Sequence, residues 1–98
     1  MTDAEEITLE ETSTGGRYVI KLSDGAEAYM TFQNLNTDTI IVDHTFVPNQ
    51  FRGRNLALKL VKRGISDARA NGIKIVPQCS YVATQFRRHP DWSDLLAE

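Results

Sequence analysis

The chain has 98 residues, of which 41% are hydrophobic and 24% charged, and this fits one α/β domain over residues 1–98 with a thin core. No apolar run is long enough to span a bilayer, and the first six residues lack the basic and apolar regions of a signal peptide, so we expect a cytoplasmic protein without a membrane partner. The single cysteine, Cys79, excludes an internal disulfide and cannot form a zinc site alone.

The formal net charge of -2 conceals an uneven distribution. Residues 1–50 hold two Lys/Arg against nine Asp/Glu, whereas residues 51–98 hold nine against four. We therefore expect an anionic ligand to dock on the second half. The overall acidity argues against a duplex-DNA binder. Single-strand nucleic-acid binding is disfavoured because Tyr18 and Tyr29 lie in a different segment from the basic second half of the chain.

The first half of the chain predicts antiparallel strands joined by short turns. Ser23-Asp24-Gly25 favours a hairpin turn, because glycine readily supplies positive φ. Turn-forming residues fill positions 34–38, and the longest β-branched run follows them, as is typical of a central strand. The strands are predicted at residues 7–11, 17–22, 26–33 and 39–47.

The second half predicts a βαβ crossover. Apolar residues recur at helical spacing over residues 56–71, and Asn71-Gly72 is a good helix stop. A short strand over residues 74–76 ends at Pro77, and a second helix runs to residue 88 with Ser80 as its expected cap. The crossover makes the strands at 39–47 and 74–76 parallel. A closing helical turn is predicted around Trp92, Leu95 and Leu96.

The turn before the first helix has the character of an anion site. It reads Arg52-Gly53-Arg54-Asn55-Leu56-Ala57, a glycine-containing strand-to-helix turn flanked by arginines. The free N–H groups of a helix start beside two cations can cradle a pyrophosphate. The spacing alone also suits any tight surface loop with solubilising arginines, so both interpretations stay open at this level.

This turn resembles the pyrophosphate motif of the GNAT acetyltransferases, Arg/Gln-x-x-Gly-x-Gly/Ala. Asn55 stands where the motif usually has its central glycine, and asparagine tolerates positive φ better than most residues. Two further blocks and the strand before the turn resemble a family of small stand-alone GNAT-like proteins. These stretches are Asp43-His44-Thr45-Phe46-Val47-Pro48, Val76-Pro77-Gln78-Cys79 and Arg88-His89-Pro90.

The resemblance implies a minimal GNAT-like fold of the α/β (α+β) class: antiparallel N-terminal strands, a βαβ crossover and a C-terminal helix. It implies that acetyl-CoA is the co-substrate, bound without a metal where the two parallel strands splay apart, and that the acceptor is an amine of unknown identity. The coenzyme-binding residues that it implies are Phe46, Val47, Arg52, Gly53, Arg54, Asn55, Leu56 and Ala57.

The resemblance also points to His44 and Cys79 as catalytic residues. Regular alternation predicts that His44 shares a strand face with Val42 and Phe46, where an imidazole can take the proton of an attacking amine. Cys79 precedes a helix start, where N–H groups and a nearby histidine would favour a thiolate that accepts the acetyl group first. A hydrogen-bonded strand-end histidine and a small buried cysteine are the structural alternatives. A main-chain N–H near Val47 is the expected oxyanion donor.

A function without catalysis stays open beside the enzymatic one. Nothing between residues 7 and 26 corresponds to the helices that wall the acceptor site in larger GNAT enzymes, so the acceptor site should be shallow. The alternative is therefore a non-catalytic module that binds acetyl-CoA or coenzyme A, or that meets a protein partner.

Overall fold

The computed structural model describes residues 6–97. Residues 1–5, on which most of the signal-peptide expectation rests, lie outside it. In residues 6–97, five strands form one sheet in the order β1-β2-β3-β4-β5, antiparallel throughout except for the parallel pair β4 and β5. The strands are β1 Ile7–Glu11, β2 Gly15–Lys21, β3 Glu27–Asn36, β4 Thr39–Phe46 and β5 Lys74–Pro77.

Within the described residues, two α-helices accompany the sheet, α1 Leu56–Asn71 and α2 Ser80–Arg88. The predicted stop of α1 is confirmed: Gly72 adopts φ 68°, and the N–H of Ile73 donates to the carbonyl of Ala68 at 2.9 Å. Three short 3₁₀ segments complete the described chain, Ser23–Gly25, Asn49–Phe51 and Pro90–Leu95. No helix within residues 6–97 is long and apolar enough to cross a membrane.

Two local predictions are wrong. The turn expected over residues 34–38 is shorter, because Asn34 and Asn36 still pair with β4 and the N–H of Asn34 also donates to the carbonyl of Thr14 at 2.8 Å. Ser80 is the first residue of α2 and not its cap. Cys79 holds the cap position, since its backbone is extended and its carbonyl accepts the first helical bond, from Ala83 at 2.9 Å.

The core lies on one face of the sheet, which we call the helix-packed face. Ile20, Met30 and Val42 point from the strands into the same cluster as Leu60 of α1 and Val82 of α2, and all five are at most 2% exposed. Trp92 closes this cluster from the last 3₁₀ segment. We call the other face, which carries Tyr29, Thr31 and Gln33, the open face; no helix of residues 6–97 joins a core there.

Candidate functional site

The strands β4 and β5 separate half-way along β4. Their pairing ends at Val42 and Pro77, and the carbonyl of Val42 accepts the N–H groups of both Gln78 and Cys79 at 3.0 Å. Beyond the bulge, His44, Thr45 and Phe46 pair with β3 alone. One backbone edge of this segment is therefore available to an extended ligand.

A β-bulge lies at the point of separation. Val42 pairs with Phe32 and His44 pairs with Thr31, so Asp43 is an extra residue without a partner in β3. A bulge sharpens the local twist and breaks the simple alternation of faces. The prediction that His44 shares a face with Val42 is therefore wrong: Val42 is buried on the helix-packed face, whereas His44 is exposed on the open face. Phe46 does share the face of His44.

The two predicted catalytic side chains lie on opposite sides of the sheet: His44 on the open face and Cys79 on the helix-packed face. Thr45 pairs with Met30 and so points to the helix-packed face, where its Oγ1 lies 3.6 Å from the Sγ of Cys79. Cys79 is half-buried against the core there. The ring of His44 instead neighbours that of Tyr29 on the open face, with centroids 6.1 Å apart. The structure thus pairs Cys79 with Thr45, where the sequence led us to expect a nearby histidine.

The loop between β4 and α1 is fixed by its own contacts. Phe51 is buried, and the guanidinium of Arg54 lies over its ring, 5.1 Å from the centroid. The Nε of Arg52 donates to the carbonyl of Val47 at 3.2 Å. Gly53 and Asn55 both have positive φ, 87° and 60°, and Asn55 directly precedes the first residue of α1. Asn55 thus adopts the left-handed conformation, which asparagine tolerates better than most residues and which glycine adopts without strain.

A cavity of about 370 Å³ lies where the free edge of β4 meets the start of α1. Seven of the eight residues expected to bind the coenzyme line it, and Arg54 is the exception. Three further residues, which the sequence did not indicate as coenzyme-binding, also line the cavity: Thr45, Phe51 and Tyr81. With the bulge known, strand alternation would have predicted that Thr45 points toward the cavity. Nothing in the sequence indicated that Tyr81 lines it. The lining residues are Thr45, Phe46, Val47, Phe51, Arg52, Gly53, Asn55, Leu56, Ala57 and Tyr81.

The electrostatics of this cavity favour an anion at one end. The first turn of α1 contains no acidic residue, and the first N–H groups of any helix lack partners within it. Arg52 and Arg54 are exposed beside this helix start. Burial raises the pKa of Tyr81, against the opposing effect of Arg88, so its hydroxyl stays neutral at physiological pH. The cavity thus has positive charge at the start of α1, from the two arginines, and an uncharged lining residue in Tyr81.

Residues 17–95 match the family model described as GCN5-related N-acetyltransferase. The chain belongs to this family. That membership assigns it to the acyltransferases and confirms the resemblance drawn from the three sequence blocks. The fold agrees with a solution NMR structure of a GCN5-like protein from Staphylococcus aureus, with a TM-score of 0.71. The two share 23% sequence identity, and the match covers 92% of this chain and 87% of that one.

His89, which belongs to the Arg88-His89-Pro90 block, lies directly after the last residue of α2. The Nδ1 of His89 contacts the carbonyl oxygen of Gln85 at 2.8 Å, and its ring stacks on Trp92 with centroids 3.9 Å apart, so it ends α2 as a structural residue. Within residues 6–97 no three His, Cys, Asp or Glu side chains converge as metal ligands would.

The left-handed conformation of Asn55 gives a first prediction. Asn55→Gly should leave the free energy of unfolding unchanged or slightly higher, because glycine adopts positive φ without strain. Asn55→Val should lower it by about 1–2 kcal/mol, since a β-branched residue is strained there. Urea denaturation of the two variants and the wild type measures this difference. Equal stability of the Val and Gly variants would contradict the backbone conformation described for the loop.

Proposed function

We propose that this chain is an acetyl-CoA-dependent N-acetyltransferase that binds the coenzyme between the free edge of β4 and the start of α1. One observation carries the proposal: a single cavity joins an unpaired strand edge to a helix N-terminus that is flanked by arginines. Acetyl-CoA has a pyrophosphate, an arm with two amides and a thioester in that order, so its chemistry matches such a cavity. The cytoplasm, where acetyl-CoA is available, is the proposed location.

The pyrophosphate would lie at the N-terminus of α1. The N–H groups of Leu56 and Ala57 and the positive end of the helix favour an anion, and Arg52 adds a charge beside them. Gly53 has no side chain, so a phosphate can approach its backbone closely. The amides of the pantetheine arm would then pair with the free edge of β4 near Phe46 and Val47, as an added strand does.

The thioester would reach residues on both faces of β4, because a ligand along a strand edge is flanked by both. In direct transfer, the acceptor amine attacks the thioester carbonyl carbon and His44 takes the amine proton. The carbon–sulfur bond breaks and the coenzyme leaves as a thiolate, which takes up a proton from solvent. Tyr81, which lines the cavity, would donate a hydrogen bond to the departing sulfur. A main-chain N–H near Val47 would stabilise the oxyanion.

In the second route, Cys79 carries the acetyl group before the acceptor does. Its thiolate attacks the thioester and forms acetyl-Cys79 as coenzyme A leaves; the amine then attacks acetyl-Cys79 and restores the thiol. The contact between Cys79 and Thr45 supports this route, because Thr45 lines the cavity. His44 would serve as base for the amine in both routes.

The acceptor would be a cationic amine that docks on an open surface. The open face carries no helix of residues 6–97, so the approach to His44 is shallow. Nine of the thirteen acidic residues belong to the first fifty positions, which supply much of the sheet, and their field attracts amines in the ammonium form.

The two routes predict different covalent states of the protein. After brief incubation with acetyl-CoA, the relay route predicts an adduct of about 42 Da, one acetyl group, on the wild type and none on Cys79→Ala. Intact-protein mass spectrometry detects it, and calorimetric titration with coenzyme A shows that the variant still binds. The His44→Ala variant is the matched control, since it keeps the thiol.

The results assign the route directly. An adduct that depends on Cys79 supports the relay. Coenzyme binding and transfer to an amine without any adduct support direct transfer from His44. Binding with no transfer to a panel of amines leaves a coenzyme-binding module, and no binding at all contradicts the proposal.

A charge placed at the start of α1 should separate binding from stability. Ala57→Glu puts a carboxylate in the first helical turn, where it favours the helix dipole but repels a pyrophosphate. We expect the affinity for coenzyme A to fall about tenfold or more while the thermal midpoint stays the same or rises. Ala70→Glu, on the exposed last turn of the same helix, is the matched control and should leave the affinity unchanged. Equal affinities of both variants would contradict phosphate binding at this helix start.

A further inference from the structure

The carboxylate of Asp43 ties the bulge of β4 to the neighbouring strand. Its Oδ1 accepts a hydrogen bond from the hydroxyl of Thr31 at 2.6 Å, and its Oδ2 accepts one from the side-chain amide of Gln33 at 2.8 Å. Thr31 and Gln33 are two positions apart on β3 and so point to the same face. Both carboxylate oxygens therefore accept hydrogen bonds on the open face, from the residues before and after Phe32 in β3. We call this three-residue contact the Asp43 latch.

The latch holds the residue that regular pairing cannot accommodate. Asp43 is the extra residue between two paired positions, so no Cα partner in β3 fixes it. Hydrogen bonds to an ionised carboxylate are about twice as strong as neutral ones. The bond from Thr31 is the main cause that lowers the pKa of Asp43, with a further bond from Gln33 and an opposing effect of burial. The ionised form that makes both bonds is thus the form present at neutral pH.

The bulge decides which face His44 occupies. A shift of one residue in strand pairing moves every following side chain to the other face. If Asp43 instead paired regularly with Thr31, His44 would point to the helix-packed face, as Val42 does, and Thr45 would point away from Cys79. With the bulge, His44 lies on the open face beside Tyr29.

We propose that Asp43 is a positioning residue, whose contacts with Thr31 and Gln33 hold the bulge that presents His44 on the open face for acetyl transfer. The catalytic role of His44 rests on the proposed function. The orientation of the His44 side chain rests on the strand register alone. Asp43 contacts no reacting atom in this scheme. Its effect passes through the backbone of β4 to the next residue.

The test compares three substitutions in the latch with one outside it. Asp43→Ala removes both bonds, and Thr31→Val removes one of them with little change in shape. Asp43→Asn can keep both, because its oxygen accepts from Thr31 and its amide donates to Gln33 once the Gln33 amide is turned. Asp91→Ala, an exposed aspartate of the last 3₁₀ segment, is the matched control.

Each variant is measured by NMR, and by transfer kinetics together with calorimetry. The first is the nuclear Overhauser contact between the rings of Tyr29 and His44, with the Tyr18 and Phe32 pair, centroids 5.7 Å apart, as the internal reference on the other face. The second is steady-state acetyl transfer, resolved into kcat and the KM for acetyl-CoA, beside calorimetric binding of coenzyme A.

We expect Asp43→Ala to lose the Tyr29–His44 contact and to lower kcat about 10- to 100-fold, with the KM for acetyl-CoA nearly unchanged, because the base is misplaced. Asp43→Asn should recover most of kcat, Thr31→Val should fall between them, and Asp91→Ala should match the wild type. If Asp43→Ala does not fold, the other two variants test the proposal: kcat of Thr31→Val should be lower than kcat of Asp43→Asn, and the reverse order would contradict it.

A ring contact and a kcat that both survive in Asp43→Ala would overturn the positioning role, as would a loss of kcat that Asp43→Asn does not recover. If the wild type neither binds coenzyme A nor transfers acetyl, the proposed function fails by itself. The ring contact then decides the orientation: its loss in Asp43→Ala supports the latch, and its persistence overturns it.

Discussion

The site depends on where the pairing of β4 with β5 stops. Val42 contributes the last paired position, and its single carbonyl accepts two N–H groups at the start of the chain's turn into α2. From that point β5 leaves the sheet and β4 continues with a free edge. The bulge at Asp43 follows immediately and adds a sharp local twist. A regular parallel pair over the whole length of β4 would leave no edge for a ligand.

The core explains how so small a chain keeps this gap open. Because β3 pairs with β4 on both sides of the bulge, β4 does not need β5 beyond Val42. The α1 helix is anchored by fully buried residues such as Leu60, so its N-terminus is held at the mouth of the gap. Phe51, buried at the base of the loop, fixes the connection between them. Strand edge, loop and helix start are therefore positioned before any ligand arrives, which lowers the cost of binding.

Much of this architecture could be read from the sequence, because it depends on local patterns. The bounds of α1 follow from apolar spacing and from Gly72, and the parallel pair follows from the strand–helix–strand order. The positive φ of Asn55 agrees with the tolerance expected of that residue type. Three blocks of sequence were enough to indicate the family that the comparison of residues 17–95 confirms.

The features that the sequence did not reveal depend on contacts between distant residues. Asp43, the extra residue of the bulge, is hydrogen-bonded to Thr31 and Gln33 on β3. The sequence of β4 alone does not show this bulge, so regular alternation predicted the wrong face for His44. Cys79 and Ser80 are both small and polar enough to cap a helix, and only the backbone of Cys79 decides between them. Tyr81 lines the cavity because of the direction in which α2 starts after β5. No residue spacing in the sequence predicts that direction.

The most direct test of this account is a titration of the ¹⁵N-labelled protein with coenzyme A, followed by amide chemical shifts. The account predicts that the largest shifts fall on Thr45 to Val47 along the free edge of β4 and on Gly53 to Ala57 at the start of α1. Small shifts are expected for residues of β1 and for Trp92, which lie away from the cavity. Shifts centred elsewhere, or none at saturating coenzyme, would contradict it.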